Sequence, residues 1–90
     1  MLRLKREKSF IKDFAKRTLN DSEFERLAKY LSLLCEGKPL PEEAREHELK
    51  GEWLGFREFH IGSDKLVIYK IYNQAELKLI RLGTHSQLFK

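Results

Sequence analysis

An α+β fold is predicted for this chain. It is a twisted antiparallel β-sheet with two N-terminal helices packed on one face, in the order β-α-α-β-β-β, with room for a short extra strand at the C-terminus. Two observations predict it. Apolar residues recur with a helical period over two consecutive stretches near the N-terminus, and with a period of two beyond residue 53. The stretches of period two are joined by connections too short for a crossover, so they are antiparallel neighbours. The two helices are the only available cover for their apolar face. Ninety residues hold one modest core, so residues 1–90 are read as a single domain.

Taken in order, MLRLK alternates and reads as a short first strand, with Leu2 and Leu4 pointing the same way. SFIKDFAKRTL switches to helical spacing, with Phe10, Ile11, Phe14, Ala15 and Thr18 or Leu19 on one stripe. Asn20 or Asp21 ends that helix and caps the next, and Glu23 completes a capping box with Asn20. Within SEFERLAKYLSLLCEG, the residues Phe24, Leu27, Ala28, Leu31, Leu34 and Cys35 fall on one face. Gly37 supplies the left-handed position after this helix, and Pro39 confirms the stop. KPLPEEAREHELKGEW is polar, punctuated by Pro39, Pro41 and Gly51, and reads as a surface connection. LGFREFHI, DKLVIYKIY and ELKLIRLG then read as three strands, turning at Gly62-Ser63 and at Asn73-Gln74-Ala75.

Composition excludes several classes of protein. A single cysteine, Cys35, rules out an intramolecular disulfide and a thiolate zinc cluster, and its apolar setting reads as a buried, inert thiol. No run approaches the roughly 20 apolar residues of a membrane span. The basic N-terminus lacks the apolar segment of a signal peptide, so no membrane association is expected and a reducing cytoplasm is the expected location. The formal charge is +4, unevenly distributed: +5 over residues 1–18, −3 over 19–50 and +2 over 51–90. Such a basic face attracts phosphate backbones and acidic proteins alike.

No glycine-rich phosphate loop, HExxH, CxxC or GxSxG motif is present, and no cofactor is expected. The three histidines stand out instead. His47, His60 and His85 all lie in the polar half of the chain, outside both helices. Each alone fits an ordinary surface position. On its strand, however, His60 shares a face with Glu58, opposite Phe59 and Ile61, and Asp64 follows at the start of the next strand. That pair is expected on the face that Phe59 and Ile61 leave open. The intervals of 13 and 25 residues between the histidines match no compact zinc site, so no metal is expected.

Proton transfer suits these residues better. An imidazole with a pKa of about 6.5 serves as base when neutral and as acid when protonated. RNA is a natural substrate beside a basic face, because its 2′-hydroxyl supplies the nucleophile. A protein then needs a base, an acid and cationic donors for the phosphorane oxygens, which Arg57, Arg81 and lysines such as Lys65 can provide. A non-catalytic RNA- or protein-binding module of the same fold is the alternative.

The motif HxLxGxWxGFRExH over His47–His60, the following SDxLxxYxx and the terminal GTHxxLF together resemble the bacterial RelE/YafQ-like toxins, most closely the YafQ branch. The resemblance implies a ribosome-dependent messenger-RNA endonuclease of a toxin–antitoxin pair. By motif position it implies a catalytic set of His47 as general base, Glu58 and His60 at the reacting phosphate, Asp64, His85 as general acid, and Phe89 as an aromatic contact. The residues themselves equally allow the roles of His47 and His85 to be exchanged. Glu58 stands where the branch has Asp, and Lys65 where it has Trp. The implied partners are messenger RNA, the ribosomal A site and a cognate antitoxin, with operator DNA reached only through the antitoxin complex.

Overall fold

The computed structural model describes residues 1–89, and Lys90, which the sequence leaves as a free end, lies outside them. Strand β1 (Arg3–Arg6) leads into helix α1 (Lys8–Lys16) and helix α2 (Asp21–Cys35). A two-residue strand β2 (His47–Glu48) precedes β3 (Arg57–Gly62), β4 (Lys65–Tyr72), β5 (Glu76–Gly83) and the one-turn helix α3 (His85–Leu88). The five strands lie side by side in the order β1-β5-β4-β3-β2.

Strands β2 to β5 pair antiparallel, as their short connections require. Strand β1 pairs parallel with β5, from Arg3 opposite Glu76 to Arg6 opposite Leu79. The sheet is therefore mixed at one edge. No short turn ties β1 to its neighbour, so its direction is set by the long path through both helices and three strands. Its exposed charged residues blunt this edge against pairing with another chain.

Asn20 caps α2 with the expected reciprocal box: its side chain accepts from the Glu23 amide at 2.8 Å, and the Glu23 carboxylate accepts from the Asn20 amide at 3.0 Å. Gly37, with φ of 73°, ends the helix. The buried face of α2 is rotated from the expected stripe. Phe24 is 54% exposed and Ala28 is exposed, whereas Tyr30 is buried edge-on against Phe59, with ring centroids 5.7 Å apart. An aromatic ring removes more surface than Ala28 and gains a T-shaped contact, so it takes the centre of the interface. Together with Phe10, Leu27 and Leu34, it seals one face of the sheet over Ile61, Val67, Leu77 and Leu82.

Helix α1 extends this logic to the sheet edge. Where β1 stops, α1 side chains take over the exposed edge of β5: Ser9 Oγ donates to the Ile80 carbonyl, and Asp13 accepts from the Leu82 amide at 3.0 Å. Arg81 Nε donates to the same Asp13 carboxylate at 2.7 Å. Burial alone pushes the Asp13 carboxyl up. The hydrogen bonds from Arg81 and Leu82 and the charges of Arg81 and Arg17 outweigh it and hold the group below its ordinary value.

The second face of the sheet is not left open. Leu49, Leu66, Ile68 and Leu88 form a smaller apolar cluster there, flanked by Trp53, Phe56, Ile80 and Phe89. Two of these arrive on the tail. In place of an extra strand, the chain turns at Gly83 and forms α3, started by a second capping box: the Thr84 amide donates to Gln87 Oε1 at 2.8 Å and Thr84 Oγ1 accepts from the Gln87 amide at 3.3 Å. A Cβ at Gly83 would lie 2.8 Å from Gln87 Oε1 and 3.3 Å from Leu88 Cδ2, so a larger residue there would push the capping Gln87 side chain aside.

Two outcomes follow for stability. Asp13→Ala leaves the Leu82 amide and Arg81 without their acceptor and should lower stability in urea titrations by about 1–3 kcal/mol. Because the folded pKa of Asp13 is depressed, its contribution is present at neutral pH and is lost as pH falls below about 3.9 through the folded value, an acid dependence that the variant lacks. Thr84→Ala removes the cap of α3 and should cost about 0.5–2 kcal/mol locally. Amide exchange at Leu88 and Phe89 should then accelerate while the α2 amides keep their protection.

Candidate active site

The alternation of β3 divides its side chains between the two cores. Phe59 and Ile61 enter the helix-covered core, so Glu58 and His60 project to the opposite face. Glu58 is fully buried and His60 is 8% exposed. The short strand β2 exists at this point because His47 pairs directly opposite Glu58. Directly opposed residues share a sheet face, which sets the His47 ring over the Glu58 carboxylate.

One carboxylate oxygen collects both rings. Glu58 Oε2 lies 3.1 Å from His60 Nε2 and 3.2 Å from His47 Nε2. Its other oxygen, Oε1, is buried with no hydrogen-bond partner among the described residues. Arg45 touches both histidines from the far side. Its Nη2 lies 3.2 Å from His60 Nδ1, and its carbonyl oxygen lies 2.9 Å from His47 Nδ1. Arg45 adopts left-handed backbone angles, φ 46° and ψ 44°, which a non-glycine residue occupies only under local constraint. Burial, then the Arg45 charge, lowers the basicity of His60 and outweighs the opposing pull of Glu58.

The tail supplies the third histidine. His85 opens α3 with its ring centroid 6.0 Å from that of His60 and 5.3 Å from that of Phe89. Phe89 in turn stands edge-on to Trp53 at 6.0 Å, half-buried beside the smaller cluster. Neither ring nitrogen of His85 is hydrogen-bonded to another described residue, and the residue is exposed. The exposed His47 and His85 thus flank the nearly buried His60 at one rim beside a buried carboxylate.

Four other residues read from the sequence stand apart. Asp64 is exposed in the β3–β4 turn, at the sheet end nearest His60, without a hydrogen bond or ion pair to any histidine among the described residues. Arg57 lies on the helix-side face of β3, bound to Glu46, which also accepts from the Tyr69 hydroxyl at 2.7 Å. Arg81 is held by Asp13 at the β5 edge. Lys65 Nζ donates to the Thr18 carbonyl at 3.1 Å and pairs with Glu23 at 3.3 Å. These three cations are therefore not delivered to the phosphate position expected of them. Each sits where strand parity or a helix carboxylate takes it, which no count of basic residues reveals.

The cations on the histidine face are others. Arg45 is one. Lys70 Nζ stands over the Phe56 ring at 4.9 Å and the Tyr72 ring at 5.1 Å, and Lys78 Nζ stands over Tyr72 at 4.5 Å. The alternating run KIY in β4 and the facing Lys78, paired with Lys70, carried the signal for this strip.

The chain was compared with known proteins. A family model for the YafQ bacterial toxin of type II toxin–antitoxin systems matches residues 2–90. The putative toxin YafQ of Haemophilus influenzae is 37% identical over 92 residues, which cover 96% of this chain and 90% of that protein. The mRNA interferase toxin YafQ of Escherichia coli strain B is 32% identical over 81 residues, covering 89% and 87%. Among solved structures, a copper-bound mutant toxin from Helicobacter pylori superposes with a TM-score of 0.88 at 41% identity, covering 99% of this chain and all of that one. YafQ in the E. coli DinJ–YafQ toxin–antitoxin complex gives 0.81 at 30% identity, covering 99% and 98%.

No group of three His, Cys, Asp or Glu side chains that could hold a metal ion is found among the described residues. The match over the whole described length, in sequence and in fold, shows that the chain belongs to the YafQ toxin family of bacterial type II toxin–antitoxin systems.

Proposed function

We propose that the chain is a ribosome-dependent endoribonuclease toxin that cleaves translated messenger RNA by histidine acid–base chemistry. The carrying observation is the trio His47, His60 and His85 gathered at one rim around the buried Glu58, with Phe89 against His85. Two of these imidazoles supply the base for the 2′-hydroxyl and the acid for the departing 5′-oxygen. Arg45 offers a guanidinium to the phosphorane oxygens, and no step needs a metal. Phe89 presents an aromatic face to a base without demanding a sequence. The strip of Lys70, Tyr72, Lys78 and Phe56 continues the same face as a track for RNA, cations holding phosphates and rings holding bases. Asp64 stays in the exposed β3–β4 turn, apart from the histidine rim, with no role assigned to it. The ribosome's part is to present the strand in an attack geometry that so small a protein cannot impose alone.

The antitoxin is the natural protein partner, since a relative is solved in complex with one. We place it on the opposite face. An apolar groove lined by Leu4, Phe10, Phe14, Leu27 and Leu31 runs between β1 and the helices, with Arg6 at its rim, inside the segment of net charge +5. An acidic amphipathic segment satisfies both its floor and its rim. Operator DNA is then reached through the antitoxin.

His47→Ala and His85→Ala should each reduce transcript cleavage by roughly 10²–10⁴ while far-ultraviolet circular dichroism stays unchanged, read by mapping new 5′ ends within translated frames after a short induction. Full cleavage by both variants would remove the acid–base reading, and toxicity without any transcript cleavage by the wild type would leave a binding module. Leu4, 48% exposed, tolerates a charge without cost to the core. Leu4→Asp should therefore leave toxicity intact but weaken antitoxin binding at least tenfold in a titration, and unchanged affinity would move the partner elsewhere.

A further inference from the structure

Between helix α2 and the segment that precedes β2 lies a recess that proton transfer does not use. Its inner part, a cavity of about 250 Å³, is lined by Arg26, Glu43, His60, Ile61, Gly62 and Ser63. Arg26 and Glu43 also line its outer part, of about 530 Å³, together with Glu25, Lys29 and Tyr30. That outer part alone falls within the roughly 300–1,000 Å³ of small-molecule sites.

Two opposite charges face this recess without meeting. Arg26 is fixed at its root, because its Nε donates to the Ile61 carbonyl at 2.7 Å. The two terminal nitrogens of the guanidinium have no hydrogen-bond or ion-pair partner among the described residues. On the same helix, Glu23 is committed to the Asn20 amide and to Lys65. Glu43 enters from the other wall, the short turn Glu42–Ala44, and no hydrogen bond or ion pair to a described residue holds its carboxylate. Its charge is felt inside all the same. After burial, Glu43 is the next cause that pushes the Tyr30 hydroxyl up, while Arg26 opposes it.

A donor fork and an acceptor carboxylate held apart in one recess suit one nucleobase above the rest. Guanine carries two adjacent donors, N1–H and the N2 amino group, which a single carboxylate accepts together. Beside them it carries two acceptors, O6 and N7, which match a guanidinium. Adenine at N1 and cytosine at N3 set a lone pair where the carboxylate needs a donor. Uracil offers one donor between two carbonyl oxygens. Single-stranded RNA exposes these edges to a protein, because its bases can be splayed out of the stack.

Resting on the endonuclease reading above, we propose that Arg26 and Glu43 form a guanine seat, which takes the base of a nucleotide flanking the scissile phosphate of the messenger. Glu43 accepts from N1–H and the N2 amino group, and the Arg26 fork donates to O6 and N7. Because His60 lines the same cavity, the seated base belongs to a nucleotide next to the cut. The seat selects where the chain cuts and takes no part in moving protons.

Two experiments test this. The first needs no activity. The free, full-length protein, labelled with ¹⁵N, is titrated in turn with GMP, IMP, AMP, CMP and UMP, which share the phosphate and differ in the base. GMP should shift the amides of Ile61, Gly62 and Ser63 and the Arg26 Nε–H. Its affinity should exceed that of AMP, CMP or UMP by about fivefold or more, the discrimination of one bidentate contact. IMP lacks the N2 amino group and should fall between GMP and AMP. Glu43→Gln should abolish this order without unfolding the chain, since Glu43 is exposed. Arg26→Lys keeps the charge but loses the fork, and should weaken GMP as well. No binding of GMP, equal binding of all five, or a guanine preference indifferent to Glu43→Gln overturns the seat.

The second uses programmed ribosomes carrying short messengers that differ only in the bases on either side of the cut. Wild type should cleave beside guanine about fivefold or more faster than beside adenine. Glu43→Gln should bring that ratio close to unity. A ratio that Glu43→Gln leaves unchanged puts base choice elsewhere and overturns the proposal. Failure of the wild type to cleave any messenger refutes the endonuclease reading instead, while the titrations still decide the guanine seat.

Discussion

One buried carboxylate oxygen organises the functional half of this molecule. Glu58 sits in the middle of β3 with no exposed surface, and a charge so placed is costly unless charged or hydrogen-bonding neighbours meet it. Two imidazoles meet it from different elements. The two-residue strand β2 has little else to recommend it as structure, yet it brings His47 opposite Glu58. Removing Glu58 would leave His47 and His60 without the group that faces them both. The smaller apolar cluster has its reason here as well. Leu49, Ile68 and Leu88 keep water from the same side of the sheet, and a drier surrounding strengthens every contact to the carboxylate.

The sheet therefore has two faces with different duties, and β5 shows how one strand serves both. Its register with β4 shifts between Ile68 and Tyr69, which leaves Ile80 as the extra residue of a bulge. Leu79 and Leu82 consequently both reach the helix-covered core, while Ile80 turns towards the smaller cluster. The larger core provides the stability. The smaller one backs the histidine rim, and its last members arrive on a single turn of helix held by Thr84, Gln87 and Gly83.

What the sequence makes legible is local. The Asn20–Glu23 box, Gly37 at the end of α2, and the opposite facing of Phe59 and Glu58 are decided within four residues, and all are found in place. Helix α3 was legible by the same rule, since Thr84 and Gln87 repeat the spacing of Asn20 and Glu23, but a strand pattern running up to Gly83 hides it. The parallel seat of β1 and the commitments of Arg57, Arg81 and Lys65 are long-range facts. Arg81 meets Asp13 and Lys65 meets Glu23 across 68 and 42 residues of chain, a separation over which composition carries no information. Arg45 escaped notice for a different reason. Its significance lies in a carbonyl direction and a left-handed turn, and neither depends on residue type in any readable way.

The pairing of β1 with β5 also orders events during synthesis. Arg3 cannot find Glu76, nor α1 the β5 edge, until β5 has been made. Contacts of such span form late and give a fold a high contact order. His85 and Phe89 are translated later still. The rim of three histidines is thus complete only once the sheet itself can close, because His85 and Phe89 follow β5 in the chain.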